Sequence, residues 1–486
     1  MSRHSPSHPL TTACGSIVLT VGLTMLPGCE SIPDLGPEPS PASASAFDSN
    51  ASLPDAAGAW PVEGWWKRFD DAQLNALIAE GLAGSPDIAV AAARVRAADA
   101  LAQQVGAALL PSVGAEASAG GVQQSENMSP QPQFVPNGID DVGQVNATFS
   151  FDIDLWGRNR AALAAATSEA EATRIDAAQA RLMLSTEIAS AYADLAAYHN
   201  ALDVANRAVQ VRTASATLTR DRVRTGLENR ASEKQAESRE ASAHADVENL
   251  NEALATTRNR LAALLGAGPD RGRHITRPTL ASPRLALPAD AGIELIGRRP
   301  DIAAARLRAE AAAKRIKVAR TEFYPNVNLS ALVGVQSLGI STLFGSGSSY
   351  GNAGLAISLP IFQGGRLQGR YRGARADYDV AVASYDGTLV AALRSVADIV
   401  AVRAATDRQL ARRHDAAEAA REAARLTGLR YRAGLDNQIV HLTAEDSMVA
   451  LDRSVVELEG RRLQLDIALI RALGGGYQEP QTVGKR

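Results

Sequence analysis

A chain of 486 residues would ordinarily fold as about three domains. Its formal net charge of −3 gives no basic footprint for nucleic acid. Aromatic residues make up only 4% and alanine is abundant, which excludes one thick core of large side chains and favours thin, closely approached helices.

At the N-terminus, Arg3 precedes an apolar run from Ile17-Val18-Leu19 through Leu23 to Leu26, which ends in Leu26-Pro27-Gly28-Cys29. A charged start, a short apolar middle and a small residue before the cut make residues 1–28 a secretory signal. The cysteine that follows makes the segment resemble a bacterial lipoprotein signal. That resemblance implies that Cys29 becomes the acylated, palmitate-bearing N-terminus and that Cys14 is discarded, so the mature chain can form no internal disulfide. An ordinary signal with an incidental cysteine is the alternative. Glu30, where an Asp would signal retention, resembles outer-membrane sorting. Residues 29–60 are rich in Pro, Ser and Ala and read as a lipidated, extended tether with no core of its own.

Beyond the tether the chain is written twice. Residues 222–229 (RVRTGLEN) match 430–437 (RYRAGLDN) at an offset of 208, and Gly157-Arg158 match Gly365-Arg366 at the same offset. Nearer the N-terminus the offset becomes 214, so Pro86-Asp87-Ile88-Ala89 align with Pro300-Asp301-Ile302-Ala303, and Pro111 aligns with Pro325. A unit of this size is too long for a solenoid repeat, which runs roughly 20–50 residues. We read 61–285 as the first structural repeat, 286–476 as the second and 477–486 as a tail.

Each repeat predicts one β-hairpin, at about 112–155 and 326–362. Over 145–155, Val145, Ala147, Phe149, Phe151, Ile153 and Leu155 alternate with polar residues. In the second repeat Leu355, Ile357, Leu359 and Ile361 alternate with Ala356, Ser358 and Pro360. The upstream partners are Val113, Ala115, Ala117 and Ala119, and Val327, Leu329, Ala331, Val333 and Val335. Strands of about 9–11 residues suit a tilted membrane crossing. Two hairpins cannot close a membrane barrel alone, since the smallest have about eight strands, and an open edge in lipid leaves backbone groups unsatisfied. Three chains would supply twelve strands.

The rest is predicted helix. No proline interrupts 158–268 or 361–479, so two helices of about 69 residues (157–225 and 365–432) each turn at Gly226 or Gly434 into a return helix of about 37 residues. Ile188, Leu195, Leu202 and Val209 repeat every seven residues, and Val204, Val211 and Leu218 form a second row displaced by two. The last helix has the rows Leu442, Val449, Val456, Leu463, Ile470 and Leu451, Leu458, Leu465. Seven is the coiled-coil period. Two seams on nearly opposite sides suit a helix with a neighbour on each flank, as in a barrel wall. A helical bundle with a filled core is the alternative, but it leaves the hairpins unexplained.

Several strings, in this order and spacing over about 60–476, make the chain resemble the TolC-like outer-membrane factors, in particular the NodT-type efflux lipoproteins. They are the run WWKRFDDAQL from Trp65 to Leu74, SFDIDLWGR at 150–158, Arg299-Pro300-Asp301-Ile302, PIFQGGR at 360–366, LRYRAGLDN at 429–437 and ALGGG at 472–476. The resemblance implies a mainly α fold with membrane β, in which a homotrimer joins a 12-stranded outer-membrane β-barrel to a periplasmic α-barrel tunnel through a mixed equatorial belt. It also implies passive conduction of drugs or other small solutes, with a periplasmic adaptor protein and an inner-membrane pump, often of the RND type, as partners. No cofactor is implied.

Carried onto this sequence, the family's adaptor-docking tips fall on Arg224, Gly226, Leu227 and Asn229 and on Arg432, Gly434, Leu435 and Asn437. The periplasmic gate falls on Ile439 and Thr443. Relatives often carry an acid at the second gate position, and Glu445 and Asp446 could supply charge instead, although solvated helix-face residues are the preferred reading. Asp152 and Asp154 are expected to face the barrel lumen, with Trp156 at the membrane interface; alternatively Asp154 and Gly157 simply end the strand and start the helix.

Enzyme chemistry has little support. There is no Walker-type phosphate loop or paired-cysteine metal site, and His199, His244, His274, His414 and His441 are scattered without HExxH spacing. The rival readings are a type I secretion outlet and a periplasmic coiled-coil scaffold lipoprotein.

Overall fold

The structure is a computed structural model that describes residues 31–48, 51–53, 58–125, 127, 135, 138–281, 283, 286–288 and 291–479. The signal segment and Cys29 lie outside the described residues. Apart from short 3-10 turns, the elements in chain order begin with helices α1 (Ala72–Gly84) and α2 (Pro86–Gly106), then strands β1 (Ser112–Val122) and β2 (Asp140–Asp152). Helices α3 (Arg158–Arg224), α4 (Arg230–Leu264), the single turn α5 (Asp270–Arg273), α6 (Ala291–Arg298) and α7 (Pro300–Thr321) follow. Strands β3 (Asn326–Leu338) and β4 (Ser349–Ser358) and helices α8 (Arg366–Arg432) and α9 (Gln438–Ala472) complete the chain.

Two compact units are present, and each draws on both repeats. Among the described residues, the first takes 31–40, Ala97–Glu171 and Leu307–Ala383, and the second takes those of 41–96, Ala172–Arg306 and 384–479.

The first unit holds one antiparallel sheet in the order β1-β2-β3-β4, so the two hairpins are joined through β2 and β3. Val113 opposes Phe149, Ala147 opposes Val333, and Leu329 opposes Leu355. Directly opposed residues share a face, so one face is apolar across all four strands. The other carries Glu116 opposite Asn146, Gln144 opposite Gln336, and Ser150 opposite Ser330. On the apolar face Val113 is 76% exposed, Val333 68% and Ile357 70%. A broad exposed apolar face marks an interaction surface, and here it has the outward face of a membrane strand set.

β2 and β4 begin and end earlier than the alternation places them. β2 starts at Asp140 rather than 145, and β4 ends at Ser358. Ile153 still donates its N–H to the Val327 carbonyl at 2.9 Å, but Leu155, Leu359 and Ile361 lie past the strand ends and continue the apolar period into the turns. Gly143 and Gly351 look like loop residues in composition yet lie inside strands, because neighbours approach them closely. A Cβ on Gly143 would sit 3.1 Å from Leu343, and one on Gly351 would sit 2.8 Å from the Leu332 carbonyl.

Beneath the sheet, α7 packs Ala309, Ala312 and Ile316 against Tyr378 and Val382 of α8. The tether is also more tied down than its composition implies. Arg375, only 9% exposed, donates to the carbonyls of Gly36 and Pro37, and Tyr378 Oη donates to the Pro39 carbonyl at 2.8 Å.

In the second unit, Trp65, Phe69, Leu74 and Ile78 pack against Ile188, Tyr192 and Leu195 of α3 and Leu261 of α4. A second core joins Leu295, Ile302, Tyr385, Leu389 and Leu473, and it takes in Leu53, a residue expected to lie in a coreless tether. The Ala42 N–H donates to Asp386 at 2.9 Å. α3 and α8 each run unbroken for 67 residues, about 100 Å at 1.5 Å per residue. α2 has no buried residue, and its Val90 and Leu101 are about half exposed. Among the described residues no single helix is long and apolar enough to cross a membrane.

Candidate functional site

Both long helices end in the same turn. Gly226 and Gly434 take φ 75° and 74°, a left-handed conformation that costs glycine nothing. The N–H of Leu227 then reaches the Arg222 carbonyl (2.8 Å), and that of Leu435 reaches the Arg430 carbonyl (2.9 Å). These bonds satisfy carbonyls that the helix end leaves orphaned. Each return helix starts on a side-chain cap: Asn229 Oδ1 accepts the Ser232 N–H at 3.0 Å, and Asn437 Oδ1 accepts the Val440 N–H at 3.1 Å.

The geometry puts Leu227 and Leu435 out in solvent, each 67% exposed. Arg224 is exposed and pairs with Asp221 (3.1 Å), while Arg432 Nε donates to the Gly428 carbonyl (3.1 Å). Gln438, buried at the first residue of α9, donates to Thr219 of α3, which ties the two turns together.

On α9, Ile439 is 65% exposed, and Thr443 returns its hydroxyl to the Ile439 carbonyl at 2.8 Å. Glu445 is not the solvated residue the sequence favours, whereas Asp446 keeps its side chain 40% exposed. Glu445 is 6% exposed and sits 3.0 Å from His441 Nε2, while Asp446 is shared by Arg212 (3.4 Å) and Arg239 (3.2 Å). Burial of a carboxylate requires such partners.

The sequence reading missed the group next to this pair. Tyr431, 1% exposed, stacks on His441 with ring centroids 5.7 Å apart, and the Arg222 guanidinium lies 4.6 Å from its ring centroid. One signal was available: within the repeated string Tyr431 replaces Val223, an aromatic for an aliphatic at an equivalent place.

At the base of the sheet, Asp152 lies on the polar face and pairs with Arg158 at 2.5 Å. Asp154, expected on the same strand face, lies two residues beyond the strand. Its carboxylate accepts the backbone N–H of Asn159 (3.0 Å) and Arg160 (2.9 Å), so it caps the start of α3. Trp156 stacks on Tyr324 with centroids 5.0 Å apart and donates its indole N–H to the Pro325 carbonyl at 2.8 Å.

The family model described as "Outer membrane efflux protein" matches residues 77–267 and 293–475. The chain is 35% identical over 373 residues to the fusaric acid resistance protein FusA of Burkholderia cepacia, covering 74% of this chain and 68% of that one. It is 30% identical over 441 residues to the multidrug resistance outer membrane protein MdtP of Shigella flexneri, covering 89% and 90%. Among solved structures, the outer membrane protein VceC of Vibrio cholerae superposes with a TM-score of 0.82 at 42% identity, over 86% of this chain and all of that one. An amphipathic four-stranded sheet and paired 67-residue helices are what such a channel requires of each chain, and this chain belongs to the outer membrane efflux protein family.

Proposed function

We propose that three copies of this chain close edge to edge into one duct. The duct receives solutes from a periplasmic adaptor and an inner-membrane RND-type pump and releases them outside the cell. The observation that carries the reading is the sheet. Its apolar face is exposed, and β1 and β4 have no further strand partner among the described residues. Unpaired strand edges in hydrocarbon cost several kcal/mol for each unsatisfied group. The uncovered α2 supports the same closure, since a wall helix needs a neighbour on both flanks. The cargo class is small organic solutes, in keeping with relatives named for resistance to fusaric acid and to multiple drugs. The chain itself catalyses nothing, and energy comes from the pump. Cys29 carries the acyl anchor.

Leu227 and Leu435, with Arg224 and Arg432 beside them, form the adaptor contact; a leucine this exposed on a rigid turn is an apolar surface awaiting cover. Ile439 and Thr443 line the resting gate, and Asp152 faces the lumen. The decisive experiment places a photo-cross-linker at Leu435 in cells and identifies the captured protein by mass. Capture of a membrane-fusion adaptor is expected. Cross-links confined to other copies of this chain would sink the docking assignment.

A further inference from the structure

The duplication supplies an internal control for one surface. α7 leads into β3 as α2 leads into β1, at an offset of 214 residues. Where α7 carries Lys314, Arg315, Lys317 and Arg320, α2 carries Ala100, Leu101, Gln103 and Gly106. The same local fold is therefore built without these cations, and packing does not call for them. Arg315 is taken by Glu169 at 3.2 Å. Lys314, Lys317 and Arg320 are exposed and make no ion pair among the described residues.

Their place relative to the sheet gives them a ligand. Arg320 lies six residues before the first residue of β3, and Lys317 is one helical turn further away. One turn is about 5.4 Å, and the headgroup layer on each side of the hydrocarbon is roughly 5–7 Å deep. Lys317 Nζ stands 3.7 Å from the point where a Cβ of Gly157 would lie, immediately after Trp156. Trp156 and its stacked partner Tyr324 have the form of interfacial aromatics, apolar bodies with one polar atom. Lys314 is two turns below Arg320, at the edge of a Debye length of about 8 Å, and contributes least.

From this juxtaposition we infer that Lys317 and Arg320 bind the phosphodiester headgroup of an anionic phospholipid in the periplasmic leaflet of the outer membrane, with Trp156 and Tyr324 beside its glycerol. The inference rests on the sheet crossing that membrane. Charge complementarity selects the occupant: a zwitterionic headgroup brings its own cation, whereas phosphatidylglycerol or cardiolipin brings only negative charge.

The test is native mass spectrometry with lipid extraction of the full trimer, purified in mild detergent and checked for normal heat-modifiable migration. Lys317→Gln/Arg320→Gln is expected to lower the ratio of phosphatidylglycerol plus cardiolipin to phosphatidylethanolamine at least two-fold. Lys317→Arg/Arg320→Lys is expected to restore it. Arg412→Gln/Arg413→Gln, which removes two exposed charges elsewhere, is expected to leave it unchanged. An unaltered ratio in the first variant overturns the proposal, as does an equal drop in the third. It also fails if the first variant shifts the ion selectivity of reconstituted pores while its lipid complement stays the same, because the basic face would then line water. Loss of the trimer band would instead count against the assembly reading.

Discussion

Two buried carboxylates of the second unit show how unlike environments set unlike pH responses. Asp71, 3% exposed, accepts from the backbone N–H of Leu74 and Thr279 (both 2.9 Å) and from Tyr192 Oη (3.1 Å). Burial pushes its carboxyl up, but these bonds together outweigh it and hold the group below the ordinary aspartate value. Its contribution is therefore present above about pH 4 and fades as pH falls below that. Asp71→Ala removes the α1 cap and strands Tyr192 and Thr279, and should cost about 2–4 kcal/mol, measurable as a lowered trimer unfolding temperature. Asp466 goes the other way. Fully buried beside Arg403 (2.9 Å), it is pushed up to about 6 by burial, which the two neighbouring arginines only partly offset. A raised carboxyl favours the folded state at low pH and loses that contribution as pH rises through about 6. Unfolding temperatures should thus drop between about pH 4 and pH 6, and Asp466→Asn should flatten that slope. The run WWKRFDDAQL carried the family resemblance but not the role of Asp71, because its partners lie 121 and 208 residues away.

Among the elements, helices were the most legible. Lengths free of proline and bounded by glycine forecast the two 67-residue helices to within about a residue. Strand limits were less so, because apolar alternation continues past the last paired residue and glycines inside β2 and β4 imitate loops. The tip turns were readable as turns; the burial of Tyr431, His441 and Glu445 was not, since it depends on α3, α8 and α9 meeting there. At Gly434 nothing lies within 4 Å of an added Cβ. Gly434→Asp therefore meets only backbone strain, on the order of 1 kcal/mol, and trimers should still form. We predict that Gly434→Asp and Leu435→Glu each remove drug resistance in cells while trimer yield stays normal. Wild-type resistance in both would separate these turns from docking. At Ile439 a charged substitution should raise the resting conductance of single channels in planar bilayers, because a three-fold ring places three like charges around one axis.

For the whole molecule, the duplication explains why one chain carries two hairpins and two helix pairs, and the outer edges of β1 and β4, unpaired among the described residues, explain why it cannot stop at one copy. Mass measurement in mild detergent should give three chains per particle; a well-ordered single-chain particle would contradict closure. The pinned N-terminal stretch has its own consequence. Gly36 is the first residue whose carbonyl Arg375 grips, and it lies only seven positions after Cys29. At no more than about 3.6 Å per residue, the acyl group proposed for Cys29 would be held within roughly 25 Å of that grip. An anchor on so short a line would limit how far this unit can stand from the bilayer surface.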